Sequence, residues 1–164
     1  KVQKNNSNKF LNFRQKQIKN SRIMKANKFI QLLKDNSGVS YNMITKEYNP
    51  NKGFFVSLPN LETKVSLQSL SVDDIVTFIN KHRSLLQDKT KFIGGWIDND
   101  TVYLDISEQI FDKREALERG YKHSQLAIYN ANEGKVIDLP TPQRSGTTTQ
   151  QKAYITQVIE RLSK

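Results

Sequence analysis

Residues 92–107 constrain the fold more tightly than any other segment. Phe92-Ile93-Gly94-Gly95-Trp96-Ile97 and the run from Thr101 to Ser107 are both strand-forming, and only Asp98-Asn99-Asp100 separates them. Strands joined by so tight a turn lie antiparallel. Along the second run Val102, Leu104 and Ile106 alternate with Tyr103, Asp105 and Ser107, so one face of the sheet is apolar and the other polar. The apolar face requires a second layer, and helical segments on either side supply it.

Residues 1–9, rich in Lys, Asn, Gln and Ser, read as disordered, and the pattern turns helical from about Phe10. Ile23, Ala26, Ile30 and Leu33 recur at spacings of 3, 4 and 3, with Phe29 and Leu32 widening that face. Arg22, Lys25, Lys28 and Lys34 read as the opposite face, and Asp35-Asn36-Ser37-Gly38 ends the helix. Val39 to Tyr48 and Phe54 to Leu58 read as a hairpin about Asn49-Pro50-Asn51-Lys52-Gly53, followed by a short strand from Lys64 to Leu67. Ser71-Val72-Asp73-Asp74 has the form of a capping box, opening a helix to about Gln87 with Ile75, Ile79, Leu85 and Leu86 toward the core.

Asp112 caps a short helix that Gly120 is expected to stop. Gln125 to Tyr129 and Lys135 to Leu139 form two strands about Asn132-Glu133-Gly134. Pro140 to Gln150 reads as a linker, and a last helix carries Ile155, Val158, Ile159 and Leu162 on one stripe. The expected fold is α+β: a mostly antiparallel sheet with two packed helices, a basic helical N-terminal arm and an amphipathic C-terminal helix. By segment this is the arm and helix over 1–36, the body over 37–139, the linker over 140–150 and the last helix over 151–164.

Charge sorts the chain into two parts. Of 26 basic residues against 16 acidic, ten basic ones fall in residues 1–34, where no acid occurs, so the rest of the chain is balanced. An acid-free basic arm on a neutral body suits a polyanion, because each neutralised phosphate releases counterions. Lys9, Arg14, Lys16, Lys19, Arg22, Lys25 and Lys28 are the candidate nucleic-acid contacts. An acidic protein surface is the alternative partner, and an arm kept soluble by its lysines is the plainest reading. Lysines on such an arm touch phosphates rather than base edges, so any DNA contact is non-specific.

Other chemistry finds little support. Without cysteine there is no disulfide, no catalytic thiolate and no sulfur-ligated zinc. No apolar run approaches the ~18–20 residues that span a bilayer, so no membrane partner is expected. Counted from Asp98, a calcium loop would need Gly at Tyr103 and Glu at Gln109, so no metal site is assigned there. No P-loop, nucleophile elbow or paired metal-binding histidines occur, and no cofactor is assigned. His82 and His123, each beside a lysine, read as solvent-exposed. Asp105, within a strand, is read as accepting a buried hydrogen bond or capping a loop, and an enzyme using it with a histidine is the least favoured class. The Gly94-Gly95 pair allows a bulge or a close backbone approach, with Trp96 as a core anchor or, with Tyr103 or Tyr129, a base-stacking platform.

Gly53-Phe54-Phe55-Val56-Ser57-Leu58-Pro59, Gly94-Gly95-Trp96-Ile97-Asp98, Val102-Tyr103-Leu104-Asp105, Ala116 and Gln125-Leu126-Ala127-Ile128-Tyr129 together resemble a small domain of tailed-bacteriophage and prophage proteins. The resemblance spans roughly residues 50–139, implies a fold and a phage setting, and implies no cofactor. It leads to the expectation of a non-enzymatic, virion-associated, head-related structural protein. Its body would dock on other phage structural proteins in a homo- or hetero-oligomeric assembly, with the arm on packaged DNA or an acidic protein surface. A start at Lys1 fits maturation cleavage or an upstream segment outside the given sequence. The alternative is an accessory phage or mobile-element protein in the bacterial host cytoplasm, binding nucleic acid or a host factor.

Overall fold

The structure, a computed structural model, describes residues 2–142 and 146–164, with side chains from residue 14 onward. Its centre is the hairpin of β4 (Lys91–Asp98) and β5 (Thr101–Ile110), paired Asp98↔Thr101 through Lys91↔Glu108. Asn99 takes the left-handed backbone (φ 51°) that a two-residue turn demands. Five further strands extend this hairpin: β1 (Gly38–Tyr41), β2 (Phe54–Ser57), β3 (Thr63–Ser66), β6 (Ala127–Asn130) and β7 (Lys135–Asp138). Strand order is β1-β4-β5-β2-β6-β7, with β3 pairing β5 beside β2. The long β5 divides that side between Thr101–Leu104, which pair β3, and Ser107–Ile110, which pair β2. With its helices, the chain is an α+β protein.

β1 and β2 do not form the expected hairpin; β1 pairs β4, with Gly38↔Trp96 through Tyr41↔Ile93. The cause is local. The Asn42 side-chain oxygen accepts from the Ile44 and Thr45 N–H groups at 2.8 and 2.9 Å, turning the chain at once. Its amide donates to the Lys89 carbonyl at 2.7 Å, holding that turn beside the start of β4.

The helices cover one face of the sheet. α1 (Val2–Asn36) is continuous from Val2, so the disorder expected over residues 1–9 is replaced by helix over residues 2–9, and residue 1 lies outside the described residues. Ala26, Phe29 and Leu33 of α1 join Ile75 and Phe78 of α2 (Val72–Lys81) on Val102, Leu104 and Ile106. Each such large side chain contributes ~1.5–3 kcal/mol by leaving water. Gly95 forms no bulge; its missing side chain admits the Phe29 ring, whose carbons stand 3.1 Å from where a Cβ would lie. The capping box is formed, with Ser71 Oγ accepting from the Asp74 N–H and Asp74 accepting from the Ser71 N–H. α2 stops at Lys81, and a single 3₁₀ turn at Leu85–Gln87 buries Leu86 but leaves Leu85 exposed, against expectation.

The second half of the layer is α3 (Lys113–Lys122) and α4 (Thr148–Ser163). Gly120 does not end α3; it lies inside it, buried against Ile128 and Leu139. The helix closes at Lys122, and Ser124, two residues further on, adopts φ 55°. Glu108 ties sheet to helix, accepting from Lys91 at 2.7 Å and Arg119 at 3.0 Å. α4 opens on a capping box of Thr147 and Gln150. Its apolar stripe packs on the chain itself, Ile159 with Leu117, Ile128 and Leu139. The expected apolar stripe of this helix is therefore part of the core. The linker reading over 140–150 falls partly on residues 143–145, outside those described.

Candidate functional site

The candidate cations lie on α1 as proposed, but not on one face. Lys16, Lys19, Arg22, Lys25 and Lys28 follow one another at intervals of three, and each such step falls short of a full turn by about 60°. The series therefore winds back round the helix through about 240°. Side chains from Arg14 to Arg22 are all exposed, as is Lys28, whereas Lys25 is half-buried. None of these cations takes part in an ion pair among the described residues. Lys9 lies in the helix but outside the described side chains.

Arg22 and Lys25 depart from the expected outward face. Both border a cleft between α1, α2 and the loop after β1. Tyr48 fixes this stretch to the body: its hydroxyl donates to the Lys25 carbonyl at 3.1 Å, and the Lys28 ammonium stands 4.7 Å above its ring. Burial, and then Tyr41 beside it, push the Tyr48 hydroxyl up to about 12, so it stays a donor. In the loop, burial and then Lys25 lower the Lys46 ammonium from its ordinary value.

The sheet face away from the helices carries a second constellation. Trp96 is 42 % exposed rather than buried, so it is no core anchor. It stacks on Tyr103 across the hairpin, centroids 4.1 Å apart and planes 10° from parallel, with the Lys64 ammonium 5.0 Å from the Tyr103 ring. Next along this face Asp105 accepts from Ser57 Oγ at 2.5 Å and from Ser107 Oγ at 3.2 Å. Its carboxyl is enclosed although the residue keeps some surface, and burial raises its pKa against the opposing pull of the two hydroxyls. This is the buried acceptor expected of an aspartate inside a strand.

Neither histidine is simply solvated. His123 Nδ1 sits 3.2 Å from the Ser57 carbonyl. The serine hydroxyl is thus committed to Asp105 and the imidazole to the main chain, which is not the serine-to-histidine contact that activates a nucleophile. His82 is buried against Phe78, ring centroids 4.6 Å apart, with its Nε2 unpartnered. Burial and then Lys81 lower its pKa. Among the described residues no group of three His, Asp or Glu side chains is placed to hold a metal, and no helix is long and apolar enough to cross a membrane. What the sequence reading missed is the cleft beside α1. Its walls come from three segments far apart in the chain, so no local pattern announces it.

No family model matches the chain, and no curated protein or solved structure is similar to it.

Proposed function

We propose that the chain is a non-enzymatic polyanion-binding protein whose α1 holds nucleic-acid phosphates, DNA foremost, while the α+β body docks on other proteins. The observation that carries this reading is the charge of the N-terminal segment: ten cations and no acid within residues 1–34, nine of those cations on α1, on a body of balanced charge. Exposed, unpaired lysines and arginines offer charge but no fixed donor geometry, so binding is sequence-independent. The phage resemblance of the sheet motifs supports a virion-associated, head-related role rather than a cytoplasmic one.

Two measurements test it. The protein binds unrelated 20-base-pair duplexes with equal affinity, and loses that affinity when Arg22, Lys25 and Lys28 are changed to Gln. Intact-mass analysis of purified phage particles finds the polypeptide at a defined copy number. Tight binding of the triple variant overturns the helix as the contact, and absence from particles overturns the virion role.

A further inference from the structure

The cleft beside α1 has a volume of about 580 Å³, within the range of small-ligand sites. Its walls are largely aliphatic, with Ile18 of α1, Met43 and Ile44 of the loop, and Val76 and Ile79 of α2, interrupted by a few uncharged polar side chains such as Ser21 and Asn80. Phe29, Tyr41, Ile75 and Leu86, all at most 2 % exposed, close the bottom. Around it stand Arg14, Arg22, Lys25, Lys46 and Arg83, and no acidic residue lines it. The Tyr41 hydroxyl, buried in the lining, has no hydrogen-bond partner.

From this juxtaposition we propose that the cleft binds a small amphipathic anion, an aliphatic chain ending in a carboxylate or similar head. The chain lies between the isoleucine and valine walls and the head meets the cationic border. A bare phosphate would leave the apolar walls wet, and a neutral alkane would leave five cations without a counterion. A nucleobase finds no open aromatic face there, since both aromatic rings of the lining are at the closed bottom. A second copy of α1 is excluded as occupant by its own charge. The proposal does not rest on DNA binding, although Arg14, Arg22 and Lys25 border the cleft.

The test is titration of the full chain with carboxylates of six to twelve carbons below their micelle concentrations, followed by calorimetry. Affinity is expected to rise about fourfold per added methylene, the increment for burying one CH₂, and decanol of equal length to bind at least tenfold more weakly than decanoate. Ile79→Trp, which fills the cleft, abolishes binding; Arg83→Gln, at the border, weakens decanoate but leaves decanol unchanged, so the proposal survives a misfolded Ile79 variant. Lys28→Gln, which does not border this cleft, weakens DNA binding and leaves decanoate binding unchanged. Saturable decanoate binding with this chain-length dependence supports the cleft. No binding, equal binding of decanol, or binding only to anionic phosphatidylglycerol vesicles and never to free decanoate overturns it.

Discussion

Gly94 and Asp105 face each other across the central hairpin, and the carboxylate occupies the space a side chain at 94 would need. A Cβ built there would lie 2.1 Å from Asp105 Oδ1 and 3.5 Å from Ser107 Oγ. The glycine therefore exists for the aspartate. Without it the carboxyl loses its seat between the Ser57 and Ser107 hydroxyls, and an enclosed charge without partners is costly.

Gly94→Ala is accordingly expected to destabilise by about 2–4 kcal/mol, combining overpacking with loss of a hydrogen bond to a charged group. Chemical denaturation checks it. Gly94→Ala combined with Asp105→Ala is expected to recover part of the loss, since the clash disappears with the carboxyl. A double variant no more stable than Gly94→Ala would show that backbone conformation, not the carboxyl, requires the glycine.

Asp105 also sets a pH dependence. Its folded pKa stands above the unfolded value near 3.8, so between the two the folded state holds the proton that the unfolded state releases. Stability then falls as pH rises through that interval, by at most about 1.4 kcal/mol per pH unit, and is level above it. Asp105→Asn keeps an acceptor for Ser57 and removes the titration. The expected outcome is a variant whose stability no longer declines on leaving acid pH; an unchanged decline assigns it to other groups.

Gly120 sets two effects against each other. In a helix interior, Ala is favoured over Gly by about 1 kcal/mol. A Cβ at 120, however, would lie 2.6 Å from Leu139 Cδ1 and 2.9 Å from Ile128 Cγ2. Leu139 can rotate its end away, but the Ile128 methyl branches directly from Cβ within a strand and has little freedom. Packing wins, and Gly120→Ala is expected to lose about 1–2 kcal/mol net, read from the denaturation midpoint. A stabilised variant would mean that the β6–β7 strands shift at little cost.

These three positions also show what the sequence reveals. The β4–β5 hairpin was legible because alternation and the Asn99 turn are local signals, and the Ser71 and Asp112 caps because each acts within four residues. β1 was misassigned because Asn42, one polar residue in a β-rich run, redirects the chain by bonds to Lys89 and its own loop. Gly120 resembled a helix stop because glycine's need for space and its freedom of backbone look alike in one dimension. Trp96 beside two glycines reads as a core anchor or a stacking platform, and only its register opposite Tyr103 puts it on the polar face. The cations of α1 were legible as residues, but their winding course was not drawn from composition.

That winding course determines how strongly DNA binding should respond to salt. Because Lys16, Lys19, Arg22, Lys25 and Lys28 span about 240° of the helix, one duplex lying against the described part of α1 meets three or four of its cations at once. Arg14, Arg22, Lys25 and Lys28 form the larger such set, and Lys16 with Lys19 lies to the other side. At roughly 0.9 counterions per phosphate contact, the slope of log affinity against log salt is expected near −3, about a 60-fold loss between 50 and 200 mM. Fluorescence anisotropy with a labelled duplex measures it. Lys25→Gln and Lys28→Gln together should flatten the slope by about 2 if the larger set is the contact, whereas Lys16→Gln with Lys19→Gln should leave it nearly unchanged. The reverse pattern would place the duplex on the other side of the helix, and a slope near zero would remove phosphate contact as the source of binding.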